Sequence, residues 1–246
     1  MVRPVVAEDT RSGSAHEHDH RNVQGGTARA AVFGVSDGLV SNIALVLGMA
    51  GASPAPGVVR LAGLVGLVGG AFSMAAGEYV SMRAQTELLQ RELEMEAAEI
   101  ARRPEAERRE LAQIYRDRGV ADAVAERLAS EMMADPGLAL ETHAREELGI
   151  DPDELGSPVQ ASVASFASFA VGASVPLLPW FFLGATPATV LSLALGVVGA
   201  VVIGLLLARF TGRSVFVSSG RQVVIAALAA GVPFAIGKLV GVSGVH

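Results

Sequence analysis

Residues 58–104 read VVRLAGLVGLVGGAFSMAAGEYVSMRAQTELLQRELEMEAAEIARRP, and the stretch changes character at Met82 without losing its helical pattern. Up to Met82 the only charged side chains are Arg60 and Glu78. A run of about 20 largely apolar residues is enough to cross a bilayer as a helix. From Arg83 onward carboxylates crowd in, yet no helix breaker falls between Val80 and Arg103. The spacing therefore predicts one helix that crosses the membrane, continues into water and stops at Pro104.

Four more stretches have the length and apolarity of a span, roughly 28–50, 159–182, 187–210 and 222–242. The turn Ala52-Ser53-Pro54-Ala55-Pro56-Gly57 separates the first two spans. Pro176 and Pro179 end the third, with Trp180 expected at the interface, and Thr186-Pro187 looks like the cap and first turn of the fourth. The expected fold class is an all-α membrane protein of five transmembrane helices, with a helical domain inserted between spans two and three. The boundaries are a polar tail over 1–27, spans one and two over 28–82, an acidic domain over 83–157, and spans three to five over 158–246.

Composition agrees. Of the 246 residues 51% are hydrophobic and 18% charged, with a mean hydropathy of +0.44, against roughly 25% charged in a soluble domain. No cysteine is present, which excludes disulfides, thiolate metal sites and cysteine nucleophiles. A net charge of −6 and a pI near 5.4 give no basic footprint for nucleic acid. Between Arg83 and Ser157 lie nineteen acidic and ten basic residues, so the insert carries −9 and the rest of the chain +3. The single lysine, Lys238, stands against eighteen arginines, and this usage with abundant Ala, Gly and Val suggests a GC-rich bacterial genome.

Arginine placement sets the expected orientation. Arg3, Arg11, Arg21 and Arg29 precede span one, the next loop has only Arg60, and the insert has ten arginines. The span three–four loop has none, and the last loop has Arg209, Arg213 and Arg221. The tail, the acidic insert and the last loop are thus expected in the cytoplasm of a cell with the chain in its inner membrane, and the C-terminus outside. The tail holds the run His16-Glu17-His18-Asp19-His20, which is either a metal-binding tract or part of a disordered segment. Small residues recur at i, i+4 in Gly66/Gly70, Gly69/Ser73/Gly77 and Gly196/Ala200/Gly204. Such rows permit close helix approach, within one chain or between two.

Asp37 falls well inside span one. A charge at the bilayer centre costs about 2.5–3.5 kcal/mol on insertion scales, so it needs a partner, a watery cavity or a proton. In span two, Met74, Glu78 and Met82 share one helix face at i, i+4 and i+8. Such a stripe is ordinarily packing. Carboxylate oxygen with thioether sulfur, however, suits a divalent metal of intermediate softness, and a membrane aspartate can also carry a proton.

In the insert, Glu92, Glu96 and Glu99 lie on one face, Glu107 and Glu110 are i, i+3 neighbours on the helix after Pro104, and Gly119 ends that helix. A third helix is expected near 122–133, and a fourth after Asp135-Pro136 pairs His143 with Glu147 at i, i+4. Carboxylates on several helices resemble the way bundles build iron or manganese sites. The alternative is a solvated surface with ion pairs to Arg91, Arg103 and Arg109.

Gly34-Val35-Ser36-Asp37-Gly38-Leu39, Ser73-Met74-Ala75-Ala76-Gly77-Glu78-Tyr79 and the glutamate-rich insert together resemble the vacuolar iron transporter family, bacterial members included. The resemblance implies a five-span homodimer that exchanges ferrous iron for protons along the dimer interface. It implies Asp37 and Met74 as membrane metal ligands, and Glu96, Glu99, Glu107, Glu110 and Glu147 as a cytoplasmic metal site. Two positions depart from the plant-type pattern. Gly66 stands where a second-span glutamate is expected, and His143-Ala144 where a methionine pair is expected. Glu78 is a candidate for the missing carboxylate.

The expected protein is a transporter, not an enzyme, with no permanently bound cofactor. Iron(II) or manganese(II) is its substrate and regulatory ligand, and it works in the lipid bilayer against protons. The alternatives are a membrane-anchored ferroxidase or iron store, and a metal-sensing scaffold. A ferroxidase of the bundle type needs Glu-x-x-His, and Leu140 stands three residues before His143. A scaffold leaves Asp37 unexplained.

Overall fold

The computed structural model describes residues 26–52 and 55–244, so the expectations for the HEHDH run, the rest of residues 1–25 and His246 lie outside the described residues. Eight α-helices form among them: α1 (Gly26–Ala52), α2 (Pro56–Arg102), α3 (Pro104–Asp117), α4 (Asp122–Met132), α5 (Pro136–Glu146), α6 (Pro158–Leu177), α7 (Ala185–Thr211) and α8 (Val215–Gly244). No strand occurs among the described residues. Five helical segments are apolar and long enough to cross a membrane, in α1, α2, α6, α7 and α8.

The α2 helix has 47 residues. At about 1.5 Å per residue it is roughly 70 Å long, more than twice a hydrocarbon core of about 30 Å. Its second half therefore stands clear of the membrane. A proline at its first turn starts it. The residues after Arg102 end it, because Pro104 cannot continue the ladder and begins α3 instead.

The membrane bundle centres on α1, which packs against α6 and α8, while α2 leans on α6. The α1–α6 contact is backbone on backbone. A Cβ at Gly38 would strike the carbonyl of Phe169 and come within 2.9 Å of Ala173 N. A Cβ at Gly172 would strike the carbonyl of Val35 and come within 2.9 Å of Leu39 N. Two glycines thus seat each helix in the other, and in lipid that closeness is the main source of packing energy. Gly38→Ala is expected to lower bundle stability by about 1–3 kcal/mol, read as a lower unfolding midpoint in detergent. An unchanged midpoint would mean the helices can part freely.

The ends of the acidic segment are tied together. Thr86 donates its hydroxyl to Gly156 O at 3.2 Å and to Met82 O at 2.9 Å, so the chain re-enters the bundle beside the point where α2 leaves it. Between these ends α3 and α4 share a small core of Leu111, Ala112, Tyr115, Ala125 and Ala129.

Three details differ from expectation. The fourth span is capped at Gly184, with Pro187 in its first turn, because the helix begins at Ala185. The α8 helix begins at Val215, ahead of the apolar run at Gln222, because Val215-Phe216-Val217 are themselves apolar and Ser218-Ser219-Gly220-Arg221 interrupt the run without breaking the helix. Trp180, expected at the interface, is enclosed at 1% exposure with Val46, Val59, Leu177 and Ala188. Its indole donates to Ser192 Oγ at 3.0 Å, and Ser192 donates in turn to Pro176 O at 2.6 Å.

Candidate metal centres

The first centre lies between α1 and α2. Asp37, Ser41, Asn42, Gly66, Ser73 and Met74 are among the side chains around a half-open cavity of about 310 Å³. Asp37 and Met74, 37 residues apart in sequence, are thus brought to one space. Ser41 donates its hydroxyl to Asp37 Oδ1 at 2.7 Å, one helical turn away, which fixes the carboxylate's direction. Asp37 is exposed within the single chain. Glu78, one turn beyond Met74, is half-buried and is not among the residues bounding the cavity.

The second centre lies where α5 packs against the outer half of α2. One oxygen each of Glu96 and Glu147 and one nitrogen of His143 lie within 4.8 Å of one another. His143 Nδ1 is 3.4 Å from Glu147 Oε2, in hydrogen-bond geometry, and 3.1 Å from Glu96 Oε1. His143 is fully buried, and its Nε2 has no hydrogen-bond partner, nor has Glu96 Oε1. Glu107 is buried too, at 6% exposure. Glu99 and Glu110 stand close enough that their charge is felt at this cluster.

The electrostatics follow from burial. Loss of solvent pushes the Glu96 carboxyl up to about 7, repulsion from Glu147 adds to it, and His143 opposes it. Glu107 is raised as well, by burial first and then by Glu110.

The arginines of the segment go elsewhere. Arg83 pairs with Glu87 at 2.6 Å, Arg145 with Glu141 at 2.6 Å, and Arg118 with Glu146. Arg108 and Arg116 both hold Glu126, whose carboxyl is lowered by those bonds. Among the described residues no arginine pairs with Glu96, Glu99, Glu107, Glu110 or Glu147. The ion pairs to Arg91, Arg103 and Arg109 that a solvated surface would use are thus absent for these five, of which Glu96 and Glu107 are buried and Glu99, Glu110 and Glu147 exposed. They form a patch of negative charge, partly desolvated, in which His143 is the neighbour that opposes the repulsion at Glu96 and Glu107. Carboxylate oxygen with imidazole nitrogen suits ferrous iron, manganese or zinc.

A family profile described as the VIT family matches residues 28–238. The chain belongs to the VIT family. It is 31% identical over 239 residues to vacuolar iron transporter 1 of Oryza sativa subsp. japonica, covering 96% of this chain and 95% of that one. It is 35% identical over 231 residues to a vacuolar iron transporter of the amoeba Acanthamoeba castellanii, covering 89% and 82%. These named relatives are transporters, not enzymes.

In this VIT family chain the two departures from the plant-type pattern have structural consequences. At Gly66 the place of a side chain is taken by Leu45, which a Cβ would strike, with Asn42 Oδ1 at 3.0 Å from where that Cβ would sit. At position 143 the imidazole supplies a nitrogen donor between two carboxylates. Ser41 and Asn42 join the cavity beside Asp37 without standing out singly in the sequence. The available signal was a run of polar side chains, Ser36, Asp37, Ser41 and Asn42, in an otherwise apolar span.

Proposed function

We propose that this protein moves divalent metal, iron(II) first and manganese(II) second, across a cell membrane and out of the cytoplasm in exchange for protons. The observation that carries the reading is the arginine-free cluster of Glu96, His143 and Glu147, whose Glu96 stands on the same continuous helix, α2, that bears Met74 opposite Asp37. A single rigid rod joins a capture site in water to a ligand-bearing cavity in the bundle. The names of the relatives favour iron. Asp37 can accept a proton when the metal leaves, which is the coupling that exchange requires.

The active form is read as a homodimer, with the acidic domain of residues 83–157 in the cytoplasm. Two features support a second copy beside α2. Asp37 is exposed in the single chain, and an added Cβ at Gly69 or Gly77, which flank Ser73 at the cavity, would meet nothing within 4 Å. Metal, as substrate, would be held by Glu96, Glu99, Glu107, Glu110, His143 and Glu147 on the way in, and by Asp37 and Met74, with Glu78 below them, on the way across.

The test is uptake of iron(II) or manganese(II) into vesicles that contain the purified full chain, with an imposed proton gradient. Metal accumulation that collapses with the gradient is expected. Accumulation indifferent to the gradient rejects exchange, and none at all rejects transport. Orientation is checked separately by reporter fusions, which should place Gly119 in the cytoplasm and His246 outside.

A further inference from the structure

We infer that Asn42 is a third protein ligand for the transported cation in the membrane cavity, holding it through its side-chain oxygen beside Asp37 and Met74. The inference rests on the transport reading above and names a residue that neither the sequence reading nor the resemblance assigned.

Asn42 is 2% exposed and lies five residues beyond Asp37 on α1. Its Nδ2 donates to the carbonyl of Ala173 on α6 at 2.6 Å. That bond fixes the amide's orientation, because a carbonyl accepts and only the NH2 end can donate to it. The oxygen must then point away from α6. Asn42 borders the cavity shared with Met74 and Asp37, and its enclosed oxygen has no hydrogen-bond partner. Opposite it is Gly66, and the Leu45 side chain fills the space that a Cβ there would take, so Leu45 is the group that must swing aside for a cation to reach the oxygen.

An amide oxygen buried without a partner is a costly arrangement. It is kept where something else occupies the lone pairs. A divalent cation fits, because side-chain carbonyls are ordinary ligands for hard and intermediate cations. The resulting donor set is a carboxylate oxygen, an amide oxygen and a thioether sulfur. The amide brings no charge and takes up no proton, so it adds binding energy without adding to the proton count at the site. Only Asp37 would then exchange charge, and Asn42 would set how tightly the metal is held. Its NH2 end ties the same ligand to the α1–α6 contact.

The experiment uses the full chain in lipid nanodiscs, in a Glu96→Gln/Glu147→Gln background that silences the outer cluster. The probe is manganese(II), with free ion read by electron paramagnetic resonance. Asn42→Leu is expected to weaken manganese binding about tenfold or more. Asn42→Asp keeps an oxygen in place but cannot donate to Ala173, and it is expected to bind at least as tightly as the parent. A purely structural Asn42 predicts the opposite pattern, with both variants equally impaired, and that result overturns the proposal. So does unchanged binding by Asn42→Leu, which would leave only water at the oxygen. If Asn42→Leu does not fold, Asn42→Ala carries the same comparison without added bulk. Asp37→Asn separates the two readings. Binding lost in Asp37→Asn but kept in Asn42→Leu rejects the third ligand alone, whereas binding kept in Asp37→Asn rejects the membrane site and the proposal with it.

Discussion

Asp37→Asn is expected to stop proton-coupled metal uptake, with a fall of about 100-fold or more, while the protein still inserts and folds. Asparagine has the shape of aspartate, and Ser41, which now donates to Asp37 Oδ1 at 2.7 Å, can donate equally to an amide oxygen. The variant therefore keeps the local hydrogen bond and loses only the charge and the proton. Removing even a supporting residue of a metal site costs about 10–100-fold, and Asp37 is placed in the site itself. Met74→Leu is the contrasting case. Leucine preserves volume and packing, a thioether is a weak donor, and the expected loss of rate is modest, with the larger change in preference between iron(II) and manganese(II). Normal uptake by Asp37→Asn in vesicles would mean that Asp37 is a structural residue. Identical rate and preference in Met74→Leu would mean that the stripe of Met74 and Met82 is packing.

The architecture was largely legible because lipid makes it so. A span must be apolar for about 20 residues, and that demand is visible in composition wherever the chain crosses. The continuity of α2 through Met82 was legible for a different reason, the lack of any breaker before Pro104. What hydropathy could not give was where a helix starts when polar residues interrupt its opening turns, as Ser218 to Arg221 do in α8. The sites divide in the same way. Asp37, Met74 and the pair His143–Glu147 stand out by charge or by helical spacing. The convergence of Glu96 with that pair is tertiary, since α5 must fold back on α2 to make it. Asn42 was hidden because its meaning depends on Ala173, 131 residues away in sequence. Without that bond, a lone asparagine in a span reads as one more packed polar group.

The outer cluster yields a prediction in which the sign is unusual. The Glu96 carboxyl is pushed up to about 7 in the folded chain from 4.5, so the fold favours its protonated form. That contribution to stability is fully present below pH about 4.5 and is lost as pH rises through about 7. At about 1.36 kcal/mol per unit, the loss is on the order of 3 kcal/mol. The groups facing Glu96 are Glu147, His143, Glu107 and Glu99, and the carboxylates among them push in the same direction. Without metal, the acidic helices should thus weaken toward pH 8. A divalent cation reverses this, because it replaces the proton as the counter-charge and binds more readily as the proton leaves. At a hundredfold excess over its dissociation constant, manganese(II) should add about 2.7 kcal/mol. Glu96→Gln separates the two effects. Glutamine is neutral at every pH, so at pH 8 the metal-free variant should be more stable than wild type, yet it should gain little from manganese. Hydrogen exchange of the α5 amides in the full chain, at pH 5 and pH 8 with and without metal, reads both changes. If Glu96→Gln weakens the metal-free protein at pH 8, the carboxylate is supporting the fold as an ion and is not waiting for one.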